Sequence, residues 1–200
     1  MTALQTTTIA PASDAASFGI RAERASDVAA RETLLDASFG EGRHARTCQR
    51  LRDDRAPAEG LALSAVRGRT LVGTLRLWHV SAGGVPALVL GPLAVDPGCR
   101  DLGIGAALVT RALASAAARG HGAVILLGDA PYYARFGFSG RKTGELTLPG
   151  PFERDRLLGL ELREGALDGA WGMVVPTGRP LLSGSAAGSR TALRAVPQAA

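Results

Sequence analysis

The sequence predicts an α/β (α+β) fold, a mixed sheet flanked by helices. Three observations carry that prediction. Leucine-rich and β-branched runs alternate along the chain with stretches of helical periodicity. The run "AVILL", residues 123–127, is continuously apolar, as a buried and partly parallel strand requires. Just before it, apolar positions 102, 106, 109, 113 and 116 alternate steps of four and three, the stripe of a helix lying on a sheet.

Taken in order, "FGIRAER" reads as the first strand, and Ser26 and Asp27 as the N-terminal cap of a helix through "DVAARETLLDASF". An arginine-rich segment, "RHARTCQRLRDD", reads as a second helix. "LALSAVRGRTLVGTLRLWHV" is a β-hairpin around an "RGR" turn. "PALVLGPLAV" is the next strand, and its Gly91–Pro92 pair predicts a bulge or a parting from a neighbour, because proline cannot donate to a ladder. A helix through about residue 119, the "AVILL" strand, a short helix "APYYARF" capped by Asp129, and final strands at "LLGLEL" and "WGMVV" complete the order β-α-α-β-β-β-α-β-α-β-β.

The chain has 200 residues, 46% of them apolar, which suits one core of ordinary size. Polar, small-residue tails are expected at 1–17 and 181–200, around one domain at 18–180. No apolar run approaches the ~18 residues of a membrane helix, so no membrane partner is expected. The N-terminus lacks the basic start and apolar stretch of a secretory signal. Cys48 and Cys99 form neither a disulfide framework nor a metal-binding spacing; the expectation is a cytoplasmic protein with reduced thiols and no metal. Trp78 and Trp171 are expected in the core or on a cleft wall.

The formal net charge is +5. Positive residues are spread along the chain, Lys142 is the only lysine, and no basic run interleaves with aromatics, which argues against nucleic-acid binding. Such a surface still attracts an anionic cofactor.

The stretch "CRDLGIGAAL" places two glycines where a helix is about to start. A dinucleotide fingerprint is excluded, because Leu108 fills the place that Gly-x-Gly-x-x-Gly reserves for a small residue. A Walker loop is excluded because no lysine follows. Two readings stay open on this stretch alone. One is a nest of backbone N–H groups at a helix N-terminus that holds an anion such as a diphosphate; the other is a plain strand–helix corner.

Three ordered motifs add to this stretch. They are "LAVDP", then Arg100, Gly103 and Gly105 in an Arg/Gln-x-x-Gly-x-Gly/Ala pattern, then Tyr133, Gly137 and Phe138 in Tyr-x-x-x-Gly-Phe. Together they resemble the GCN5-related N-acetyltransferase (GNAT) superfamily, and within it the YhbS-type acetyltransferases. The motif core covers about a quarter of the chain, and the element order extends the likeness over most of residues 18–180.

The resemblance implies a mixed, mostly antiparallel sheet of six to seven strands whose strands 4 and 5 splay apart. Acetyl-CoA would lie in that gap as the acetyl donor. Main-chain groups of Leu93, Ala94 and Val95 would bond its pantetheine arm. Amides of Arg100, Asp101, Leu102, Gly103, Ile104, Gly105 and Ala106 would cradle its diphosphate.

The implied reaction is direct attack of a primary amine on the thioester in a ternary complex, without a covalent enzyme intermediate. An alkyl amine is only about one part in a thousand neutral at pH 7, a cost of ~4 kcal/mol, so a base or a water chain must take its proton. Tyr133 occupies the family's general-acid position. Its phenol, at an ordinary pKa of ~10, is a weaker acid than a thiol at ~8.5, so it acts mainly as a hydrogen-bond donor to the leaving sulfur. The base is not legible; His79, Glu41 and His44 are the candidates, with a water chain as the alternative. Asp129 reads as a cap and Tyr132 as core or cofactor wall. Cys99 reads as a loop filler that bound cofactor would protect. A catalytically silent acyl-CoA-binding module and an enzyme directed at an aminoacyl-RNA amine are the rival functions. The acceptor is not specified, and a homodimer is compatible with the sequence.

Overall fold

The protein is described as a computed structural model covering residues 17–181. The expected tails, 1–17 and 181–200, lie outside the described residues except for Ser17 and Leu181. The sheet is organised around a long antiparallel hairpin of β3 (Thr70–Ala82) and β4 (Val85–Val95). The free edge of β3 is shared: β2 (Ala62–Arg67) pairs its first half, and β8 (Gly172–Pro176) pairs Val80–Ala82 at its far end. β1 (Gly19–Ala22) extends the sheet beyond β2. On the other side of β4 lies β5 (Ala123–Leu127), parallel to it, and β7 (Leu157–Glu161) runs antiparallel to β5. A two-residue strand not expected from the sequence, β6 (Leu146–Thr147), pairs with β8.

β4 and β5 are in register only at Leu88↔Val124 and Val89↔Ile125. Two residues later comes the Gly91–Pro92 bond, which is cis, with Gly91 at φ 134°. Between Leu75↔Leu93 and Leu77↔Leu90, β4 spends two residues where β3 spends one. This is the bulge expected at the proline; beyond it β4 stays paired with β3 but no longer with β5.

Alternation along β5 assigns the two faces, since neighbouring side chains in a strand point to opposite sides. Val124 and Leu126 join one core with Leu75, Leu77 and Leu88, covered by α2 (Ile104–Ala118). Ala123 and Ile125 join a second core with Trp78, Val80, Leu146, Leu157 and Val174. On that second face, α1 (Val28–Phe39) sets Leu34 and Leu35 against Ala94. The cleft described below lies between these two patches.

Several expectations change in detail. The second helix is instead two 3-10 turns, Glu41–Ala45 and Thr47–Leu51, joined at an extended Arg46. Thr47 and Arg50 donate to the carbonyls of Pro151 and Pro149, and these long-range bonds favour short turns over a continuous helix. The α2 stripe is 104, 108, 109, 112 and 116, because Leu102 ends a preceding 3-10 turn (Pro97–Leu102) and the helix begins only after Gly103. Asp27 stands at the N-terminus of α1 without capping it. Its carboxylate accepts from Arg21 at 2.6 and 2.8 Å, from the Arg24 N–H and from buried Ser64, which ties β1 and β2 to the helix start. Trp171 is 71% exposed and lies on neither the core nor a cleft wall.

Candidate active site

The cleft consists of two cavities that share Phe39 and Leu93. The smaller, about 430 Å³, is lined by the end of β4 and the start of α2. Gly103 takes the left-handed conformation, φ 72°, which closes the 3-10 turn and starts α2 in one residue. The first new intrahelical bond runs from the Ala107 N–H to the Gly103 carbonyl, 3.0 Å, so the amides of Ile104, Gly105 and Ala106 precede the helix ladder. A Cβ on Gly105 would sit 3.0 Å from the Tyr132 hydroxyl, so glycine there lets the phenol lie across the first turn. Asp96 supports the turn from below, accepting from the Gly98 N–H at 2.8 Å.

Seven of the ten residues assigned to this site from the sequence line the small cavity: Leu93, Ala94, Val95, Arg100, Gly103, Gly105 and Ala106. Leu102 packs against the core and the Ile104 side chain is fully buried, so these two have only main chain to offer, and Asp101 is exposed outside the cavity lining. Leu93, Ala94 and Val95 pair with β3 on one edge. No described strand pairs their other edge. An extended ligand can add there as an extra strand. The sequence reading missed Arg135, which stacks over the Tyr132 ring at 4.7 Å and brings a second guanidinium beside Arg100. Its spacing of three from Tyr132 was the available signal.

The larger cavity, about 640 Å³, opens on the far side of the β4 bend. Its walls are the end of α1, the two 3-10 turns, Leu90–Leu93, the start of α3 (Ala130–Ala134) and the loop 151–156. Tyr133 reaches this cavity from α3, which Asp129 caps by accepting from the Tyr132 N–H at 3.0 Å. The ring is wedged edge-on against Phe138 and Tyr132, at 5.8 and 5.0 Å between centroids. It also presses on Gly128, where a Cβ would come within 2.4 Å of it. Burial pushes the phenol up to about 12. It is therefore neutral and a donor throughout the physiological range.

The structure does not bring the three candidate bases to the cleft. His79 belongs to a separate cavity of about 210 Å³ and faces His121, 5.3 Å between ring centroids. The pairing of β3 with β4 turns it to that end of the sheet. Glu41 and His44 are exposed on the first 3-10 turn and line neither cleft cavity. The carboxylates that line the large cavity are Asp129, committed to its cap, and Glu153, 71% exposed and 3.7 Å from Arg156. Cys99 is buried in the core, so cofactor protection would not report on it. Cys48 instead lines the large cavity, and burial raises its thiol pKa, which keeps it protonated. Among the described residues, no group of three or more His, Cys, Asp or Glu is placed to hold a metal ion. None of the described helices is long and apolar enough to cross a membrane.

A mixed sheet parted between a bulged β4 and a parallel β5, with a glycine turn opening α2 beside the gap, defines the GNAT class of fold. The Acetyltransferase (GNAT) family matches residues 28–138, and the chain belongs to that family. It is 31% identical over 157 residues to the uncharacterized N-acetyltransferase YhbS of Escherichia coli K12, covering 78% of this chain and 93% of that protein. The crystal structure of E. coli YhbS in complex with CoA superposes with a TM-score of 0.67 at 29% identity, over 80% of this chain and 89% of the other. A GNAT family acetyltransferase from Brucella melitensis, solved with acetyl-CoA, gives 0.54 at 26% identity, over 76% and 99%.

Proposed function

We propose that the protein transfers the acetyl group of acetyl-CoA to a primary amine by direct attack within a ternary complex. The observation that carries this reading is the juxtaposition, across one β4 bend, of an unpaired strand edge leading to a glycine turn and a cavity holding a neutral, half-buried tyrosine. The CoA-bound relatives support it.

The residues fit the donor. The free edge of Leu93–Val95 suits an amide-bearing arm, and the amides of Ile104–Ala106, with Arg100 and Arg135 beside them, suit a diphosphate. Arg100 and Asp101 complete the turn, the latter through its main chain. An outward β4 amide polarises the thioester carbonyl and stabilises the oxyanion, a contribution whose loss typically costs ~10²–10³ in rate.

Tyr133 donates a hydrogen bond to the departing sulfur. Full transfer from a phenol at about 12 to a thiolate of ~8.5 would run uphill by about 5 kcal/mol, so the proton stays on oxygen and the thiolate leaves hydrogen-bonded. The amine proton departs through Glu153, which connects the large cavity to solvent. The test is release of free CoA thiol from acetyl-CoA across a panel of primary amines, with mass spectrometry of the product. An N-acetylated amine formed at the same rate as thiol is the expected result. Thiol release without an acetylated amine, or no acetyl-CoA binding, would refute it.

A further inference from the structure

Among the arginines that line the large cavity, one differs in how its charge is held. Arg31, Arg43 and Arg76 have side chains that are 7, 12 and 16% exposed, and each is ion-paired with one or two carboxylates. That is the usual condition for withdrawing a guanidinium from water. Arg52 breaks the pattern. It is half-buried in the wall of the large cavity, its Nε donates to the Cys48 carbonyl at 3.1 Å, and no described carboxylate lies within ion-pair distance of it. Burial pushes its pKa down, yet a guanidinium stays charged at any physiological pH.

Its position is as telling as the absence of a described carboxylate beside it. A Cβ on Gly91 would lie 3.8 Å from Arg52 Nη1, so the guanidinium fork stands beside the β4 bend where donor and acceptor meet. Arg46 and Arg156 line the same cavity; Arg46 is exposed and stacks on Phe39 at 5.0 Å, and Arg156 is 3.7 Å from Glu153. Arg43, also on the wall, is already saturated by Glu32 and Asp36. Arg46 and Arg52 are thus the cavity arginines with no described carboxylate in ion-pair distance, and of the two only Arg52 is partly withdrawn from solvent.

We propose that the acceptor is an amine that also carries an oxyanion, a carboxylate or a phosphate, and that Arg52 binds this group. The inference rests on the acetyl-transfer reading above and names its substrate class. A planar fork of N–H donors matches two oxygens of a carboxylate or phosphate, and seating one there fixes the amine at the bend. It also supplies the partner that the fold withholds from a charge already removed from solvent. Arg52 acts on the acceptor, remote from the diphosphate turn.

The experiment compares matched amines at saturating acetyl-CoA: amino acids against their carboxamides, and phosphoethanolamine against ethanolamine. The expected kcat/KM is about 10- to 100-fold higher for the anionic member of at least one pair, with the carboxylate and phosphate arms separating the two sources. In Arg52→Met that ratio falls to about one, through KM for the anionic amine, while acetyl-CoA affinity by calorimetry is unchanged; Arg52→Lys restores part of the ratio. A second readout is independent of turnover. N-acetyl amino acids and inorganic phosphate are titrated calorimetrically into the protein with and without CoA; binding that disappears in Arg52→Met supports the proposal. The melting temperature of Arg52→Met should be equal to or above that of the parent, since a half-buried charge without a carboxylate has been removed. A lower one would mark Arg52 as structural. Equal rates for charged and neutral partners, or no anion binding by any probe, overturn the proposal. If acetyl-CoA itself fails to bind, the acetyl-transfer reading falls, and the anion titration without CoA still decides the role of Arg52.

Discussion

On one side of the β4 bend, the cleft is made of main chain: an unpaired strand edge, a left-handed glycine and the first amides of α2. On the other, it is made of side chains brought from distant segments: Tyr133 from α3, Cys48 from a 3-10 turn, Arg52 from the residue that follows that turn, Glu153 from a loop. A diphosphate and its pantetheine arm can be held by backbone geometry, which a few glycines specify. An acceptor must be chosen by charge and shape, which only side chains encode. The two halves are thus expected to respond differently to mutation.

The largest effect should come from Gly105→Glu. It puts a carboxylate at the helix N-terminus and crowds the Tyr132 hydroxyl 3.0 Å away, so acetyl-CoA affinity should fall by roughly 100-fold or more. Calorimetry checks this, and an unchanged Kd would break the assignment of the main-chain half. Tyr133→Phe should lower kcat by about 10²-fold and leave the Kd for acetyl-CoA within about 2-fold. Steady-state kinetics beside a binding isotherm separate these quantities; equal losses in both would place Tyr133 with the donor instead.

Smaller effects sharpen the boundary. Glu153→Gln should reduce kcat/KM for the amine about 10-fold near neutral pH, with the deficit shrinking as pH rises and more amine is already neutral. Arg100→Ala and Arg135→Ala should each weaken acetyl-CoA about 2- to 5-fold at low salt and less at high salt, because both groups lie at the surface of the small cavity. The smallest expected effect is an absence. Burial raises the Tyr133 phenol, so it keeps its proton below about 12, and the pH–rate profile should rise with amine deprotonation and show no Tyr133-linked fall up to about pH 10. A descending limb near pH 9 would mean that the phenol ionises far more easily than its enclosure allows.

Much of the main-chain half was legible because its signals are local. Gly91–Pro92, Gly103 and Gly105 each mark a backbone event within a few residues of themselves, and the bulge, the strand parting and the helix start occur where those residues stand. The side-chain half was less so. His79 is a candidate from its place on the hairpin next to the fourth strand, and Glu41 and His44 from theirs in the glycine-flanked segment after the first helix, but sheet register and turn geometry point them elsewhere. Arg52 and Glu153 looked like any solvated charge in an arginine-rich or loop segment. Only the packing of the 3-10 turns against the loop 149–153, through Thr47–Pro151 and Arg50–Pro149, brings them to one cavity.

By itself, the sequence determined the order of the longer strands and of α1, α2 and α3, the site of the β4 bulge, the glycine turn at the head of α2 and the tyrosine on α3. These follow from φ/ψ preferences and side-chain periodicity, which act over a turn or a strand. Tertiary structure alone decided which charged side chains share a cavity and which of them are held by carboxylates, because neighbours about 100 residues apart in the chain are set by how the sheet, turns and loops close on one another.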